Sequence, residues 1–235
     1  MERLYLKNDL INGTVLKIFA LICMTVDHIG LFLLNNNSYC RAIGRLAFPL
    51  FAYFIAEGCF YTKNRKKYLL KIAIFGIITQ IIFIVFYRPL YFNVLITFTF
   101  SILIIYYYDS IKNENGVNFN VLFIFLLVFI FFLSEILPRV FYRTKYQFAF
   151  DYGFIGLCFP LFLYAVSDKK VKTVVFFLGL ILLSVKHMGL QWFCLIDGVI
   201  ILFYNGKRGK YSLKYLFYFY FPLHFLGIFL IKMIL

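Results

Sequence analysis

Apolar runs long enough to cross a bilayer follow one another from about residue 15 to the end of the 235-residue chain, and no long polar stretch separates them. A hydrocarbon layer about 30 Å thick needs roughly 17–25 such residues per helix. Inside it every backbone polar group must be satisfied within the segment, which favours helices. A soluble core could not hide this much apolar surface: 63% of the residues are apolar and 23% aromatic, while only 14% are charged, against roughly 25% charged in soluble domains. The sequence therefore predicts an all-α polytopic membrane helix bundle, packed as one domain over residues 1–235.

Cutting at the polar breaks gives nine expected spans, with eight or ten as alternatives: about residues 15–34, 43–61, 69–87, 92–108, 118–137, 149–166, 172–185, 188–204 and 213–234. The seventh is short, and Lys186-His187 leaves room only for a very tight turn before the eighth, so these two are expected as half-helices or a re-entrant pair. The first run carries Asp27-His28 instead of a small-residue cleavage site and is expected to be a retained helix.

The formal charge of +14 comes from cations in short loops, where they report orientation and not affinity for nucleic acid. With the N-terminus in the cytoplasm, the inner side collects Arg3, Lys7 and Lys17, the Lys63–Lys71 cluster, Lys112, Lys169–Lys172 and Lys207–Lys214. The outer side keeps half as many, among them Arg41, Arg45, Arg88, Arg139, Arg143, Lys145, Lys186 and Lys232. This bias predicts a cytoplasmic N-terminus. The five cysteines show no CxxC spacing and lie mostly in apolar runs, which suits packing; no metal site is expected.

Ionisable groups within a span cost about 2.5–3.5 kcal/mol each on insertion scales, so a chain retains them where they are paired or useful. Asp27 and His28 lie about two-thirds of the way up the first span, Arg45 near the outer end of the second, and Asp151 opens the sixth from outside; Lys186 and His187 fall at the same boundary. These residues predict a polar pocket in the outer leaflet. Histidine exchanges protons near neutrality and is the natural general base. Adjacent residues point about 100° apart around a helix, so Asp27 is poorly placed to orient His28, and Asp151 or Glu57 is the expected partner. The competing reading makes Asp27 and Arg45 a structural ion pair and His28 a packed donor. Glu57, in Ala56-Glu57-Gly58, is read either as catalytic or as a partner of the Lys63–Lys67 cluster; His224, beside Pro222, lines a cavity or simply packs. Asp197 beside Gly198 suits an interhelical hydrogen bond.

The blocks LKIFALICMTVDHIG, RAIGRLAFPLFAYFIAEGCFYTKNRKKYLLKIAIFGIITQ, NVLITF, DYGFIG, YNGKRG and KYLFYFYFPLHF, in order from about residue 16 to 226, resemble the TraX family of membrane proteins. The resemblance implies a place in the broad group of transmembrane acyltransferases, whose TraX member N-acetylates the amino terminus of conjugative pilin. It implies acetyl-CoA or another acyl-CoA as cytosolic co-substrate, no tightly bound cofactor, and a peptide amine, sugar or small amine as acceptor. Carried onto this chain, it makes His28 the leading catalytic residue, with Asp27 beside it and Arg45 as a substrate or oxyanion partner, and adds Glu57 and His224; Asp151 and His187, from the expected pocket, are the other secondary candidates. Lys63, Arg65, Lys66, Lys67, Lys207 and Arg208 are then expected to hold the phosphates of the acyl-CoA. The alternative from another class is a small proton-coupled transporter or flippase, since the same intramembrane groups suit a proton relay. A structural or assembly factor is a third.

Overall fold

The computed structural model describes residues 11–87, 91–113, 117–141, 148–210 and 214–235; the topology cations Arg3, Lys7, Arg88, Arg143 and Lys145 lie outside these. The described chain is helical, with helices α1 (Gly13–Phe32), α2 (Ser38–Gly44), α3 (Ala47–Tyr61), α4 (Arg65–Tyr87), α5 (Val94–Asn113), α6 (Val117–Phe131), α7 (Leu137–Phe141), α8 (Gly153–Ala165), α9 (Lys169–His187), α10 (Leu195–Leu202) and α11 (Lys214–Ile234). A π-helical turn, Phe132–Ile136, joins α6 to α7, and a 3-10 segment, Gly189–Cys194, leads into α10.

Among the described residues, six helical stretches are long and apolar enough to cross a membrane: Gly13–Phe32, Ser38–Tyr61, Arg65–Phe86, Val94–Lys112, Val121–Phe141 and Tyr215–Ile234. They correspond to six of the nine expected segments. The other three are also helical but differ physically. Gly153–Ala165 and Gly189–Leu202 are shorter apolar helices, and α9, at 19 residues, carries lysines in both end turns. The tight link expected after Lys186-His187 is present: Met188 and Gly189 take φ of 53° and 52° in succession, and the 3-10 segment starts at once.

The chain packs as two compact units. The first comprises Met1–Phe51, Asp168–Tyr220 and Gly227–Leu235. Its α1 begins where the Asn12 side chain accepts from the N–H groups of Thr14 and Val15 at 3.0 and 3.1 Å, which satisfies two of the donors a helix start leaves open. The run Asn35-Asn36-Asn37 turns the chain. Asn35 and Asn36 adopt φ of 51° and 61°, a region that asparagine tolerates better than most residues. Asn37 then caps α2 through Tyr39 N and Cys40 N. The returning α2 lies so close to α1 that a Cβ on Gly30 would overlap Cys40, and one on Gly44 would overlap the Asp27 carboxyl. The Asn205–Gly209 loop packs on the same helix start: Gly13 N and Thr14 N donate to the carbonyls of Lys207 and Arg208 at 2.8 and 3.1 Å. Tyr220 of α11 donates to Thr25 Oγ1 at 2.7 Å, because the Thr25 hydroxyl gives its own proton to Leu21 O.

The second unit comprises Ala52–Ser167 and Phe221–Leu226. Its α4, α5 and α8 are joined by a seam of buried polar side chains. Gln80 and Asn93 satisfy each other at 2.9 Å; Gln80 also donates to Tyr91 O, and Asn93 to Gly76 O while accepting from Leu95 N. Ser101 donates to Leu157 O at 2.7 Å. Two-residue strands β1 (Tyr91–Phe92) and β2 (Ala149–Phe150) pair in parallel at the entrances to α5 and α8. The π-helical turn carries Glu135, whose carboxylate accepts from Phe154 N at 2.8 Å and so supplies the first turn of α8 with an anion.

The close approach of α1 and α2 makes their glycines a direct test. Gly44→Ala is expected to lower stability by about 1–3 kcal/mol, the usual range for forced overpacking. Gly227→Ala, where a Cβ meets nothing within 4 Å, is expected to be neutral or slightly stabilising; thermal melting in detergent compares the two.

Candidate functional site

Asp27 lies in the last third of α1, where the neighbouring sequence is apolar and a lone carboxylate would be costly to hold. Two guanidiniums answer it. Arg41, on α2, places Nη1 at 2.5 Å from Asp27 Oδ2, and Arg45, at the C-cap of α2, places Nη2 at 3.9 Å from Oδ1. All three side chains are 15–20% exposed. Arg41 was expected only as an outer-loop cation, yet it makes the closest contact. The spacing explains this: residues 41 and 45 stand one turn apart and present both cations to the same neighbour.

Arg45 reaches in a second direction, to Gln191 Oε1 at 3.5 Å. Gln191 belongs to the 3-10 segment and is 2% exposed; its Nε2 has no hydrogen-bond partner among the described residues, and neither has Asp27 Oδ1. The segment is itself fastened to α9, since the buried Ser184 hydroxyl contacts both Gln191 O and Cys194 Sγ. Two guanidiniums against one carboxylate leave the cluster positively charged. With the Gln191 amide donor beside them, these residues suit an oxygen that carries or develops negative charge. Neither Arg41 nor Gln191 was legible as a site residue, Arg41 because it reads as a loop cation and Gln191 because a lone amide gives no spacing signal.

The remaining candidates divide between the units. His28, half-buried on α1, stands with its ring centroid 6.2 Å from that of Phe32, which packs edge-on against Phe229. His187 closes α9 in an exposed position. In the second unit, Glu57 lies half-buried on α3, one turn from Tyr53. Asp151 is held by Tyr91, whose hydroxyl donates at 2.8 Å. His224, one turn from Phe221 on α11, packs its ring at 5.4 Å from Phe221 and 4.2 Å from Phe225.

Of the expected phosphate-binding cations, Lys63, Lys66 and Lys67 are exposed after α3. Arg65 is engaged: its guanidinium pairs with Asp109 and lies 5.1 Å from the centre of the Tyr106 ring. Asp109 also accepts from Tyr164 at 2.5 Å. Lys207 and Arg208 expose their side chains while their carbonyls hold the start of α1. No group of three or more metal-binding side chains is found among the described residues.

The family model described as "TraX protein" matches residues 12–232. The chain is 28% identical, over 89% of its length and 91% of the relative's, to a protein of Dichelobacter nodosus described as "Probable fimbrial assembly protein FimC, serogroup H1". It is 38% identical over 97 residues, 41% of this chain and 37% of the relative, to an uncharacterized protein of Rickettsia prowazekii (strain Madrid E). No solved structure matches the chain.

The charge balance around Asp27 predicts unequal costs. Asp27→Ala leaves two guanidiniums facing each other without their anion and is expected to cost more than Arg41→Ala. The expected loss is on the order of 1–3 kcal/mol, the range for a hydrogen bond to a charged group. Combining the two should cost less than their sum, and a double-mutant cycle on thermal stability measures that coupling.

Proposed function

This chain belongs to the TraX family, and from that premise we propose that it is a membrane acyltransferase moving an acetyl group from cytosolic acetyl-CoA to an amine or hydroxyl on an extracytoplasmic or membrane-associated acceptor. The proposal includes its setting, the cytoplasmic membrane of a bacterium, with nine membrane segments and a cytoplasmic N-terminus. The observation that carries it is the positively charged Asp27–Arg41–Arg45 cluster with the Gln191 amide beside it. Acyl transfer needs donors aimed at a developing oxyanion, and a preformed group of them inside an apolar unit supplies that without reorganisation.

In the proposed step the acceptor nitrogen or oxygen attacks the thioester carbonyl carbon. His28 takes the acceptor's proton, the new C–N or C–O bond forms, and the C–S bond breaks to release the CoA thiolate, which is then protonated. Arg45 and Gln191 stabilise the carbonyl oxygen as it becomes negative, and Asp27 with Arg41 holds Arg45 in place. The exposed Lys207 and Arg208, in the same unit as His28 and Arg45, are proposed to receive the phosphates of CoA; Arg65, in the other unit, is anchored to Asp109. The relative whose printed name places it in fimbrial assembly supports a peptide amine as the first acceptor to try.

Purified protein in nanodiscs, given acetyl-CoA with a panel of peptides, amines and sugars, is expected to release CoA. Arg45→Lys should lower the rate about 10²–10³-fold, as loss of an oxyanion donor does. His28→Ala should lower it about 10²–10⁴-fold, as loss of a general base does, with thermal stability matched to the native chain in both. If acetyl-CoA neither binds nor turns over, the acyltransfer reading is lost and the proton-coupled transporter takes its place.

A further inference from the structure

Asp197 lies in the first turn of α10 and is 0% exposed. Neither carboxyl oxygen has a hydrogen-bond partner among the described residues. Two thiols lie near enough to feel its charge, Cys23 on α1 and Cys194 at the end of the 3-10 segment, and Cys194 also feels Arg45. From α9, the Phe177 ring closes over the neighbouring Gly198, where a Cβ would overlap it. Asp27, in the same unit, has two guanidiniums within 4 Å.

A carboxylate removed from water with no counter-ion is among the most costly groups a protein can bury, and such a group takes up a proton instead. The start of α10 offers little relief. The preceding 3-10 segment runs straight into the helix, and its carbonyls at Trp192 and Phe193 already accept from Leu195 N–H, so the donors that would favour an anion at a free helix start are partly taken.

We propose that Asp197 is a proton-binding site of the first unit: its carboxyl carries a proton in the folded protein, and that proton keeps α10 packed with α1 and α9. Loss of the proton in place puts an uncompensated negative charge among apolar side chains, and the packing must loosen to let water or a cation in. The site is separate from the acyltransfer reading, which gives Asp197 no role. The sign of the pH effect follows from proton counting. The folded unit holds a proton that the unfolded chain releases at neutral pH, so raising the pH weakens the fold, by at most about tenfold in the unfolding equilibrium per pH unit.

Infrared spectroscopy of the native protein and of Asp197→Asn, both in nanodiscs at neutral pH, tests this directly. The expected difference is the loss, in the variant, of one carbonyl band of a protonated carboxylic acid, with the carboxylate bands unchanged. On raising the pH, the native protein should lose that band and melt at a lower temperature, and Asp197→Asn should show less of that fall. A difference spectrum that instead loses a carboxylate overturns the proposal. So does an Asp197→Asn variant that fails to fold where Asp197→Glu folds, because the charge itself would then be required.

Discussion

An ionised carboxylate inside an apolar helix needs a cation within a few ångströms, and much of the first unit can be understood as the means of bringing two of them to Asp27. The cations sit one helical turn apart on α2, so α2 has to run back against α1. The asparagine turn provides the reversal, two of its residues adopting the left-handed backbone and the third capping α2. The approach must be close enough for guanidinium contact, and Gly30 and Gly44 remove the Cβ atoms that would prevent it. The glycines of the DHIG and IGR motifs thus serve the same end as the charged residues beside them. Motif and packing have one physical cause.

The same requirement accounts for what was legible from sequence. Segment positions followed from apolar run length, because the bilayer sets that length and leaves helices little freedom to differ. Asp27 and Arg45 were visible as a pair because charges in apolar runs are costly enough to need each other. Arg41 was hidden, since a cation three residues from a loop looks like a topology signal until α2 is known to fold back. Gln191 was hidden for another reason: its role depends on a one-residue link between α9 and the 3-10 segment, and the left-handed Met188 that makes the link is a residue type that gives no warning of it. The weaker span signals at 153–165, 169–187 and 189–202 reflect real differences in length and end charge.

The second unit handles polarity differently. Gln80 and Asn93 have partners for both amide atoms, Asp151 is held by Tyr91, and Glu135 supports the start of α8. A network in which each member is satisfied rigidifies and specifies a packing arrangement, and it leaves little capacity for a ligand. The blocks NVLITF and DYGFIG, which contributed to the family resemblance, owe their polar residues to this seam. Their presence in a motif thus has an architectural explanation in the contacts that Asn93 and Asp151 make.

Unsatisfied capacity is concentrated in the first unit, and it takes two chemical forms. At Asp27 and Gln191, a free acceptor and a free donor lie in a cluster with surplus positive charge, an arrangement whose cost is recovered when an oxygen-bearing group arrives. At Asp197, neither carboxyl oxygen has a hydrogen-bond partner among the described residues, and the proton we propose there is the ligand that requires least space and neutralises the group completely. Buried polar atoms in one compact unit therefore differ in what they await according to the cations around them. That distinction is set by where α2 places its two arginines, and it could not be read from the positions of the aspartates alone.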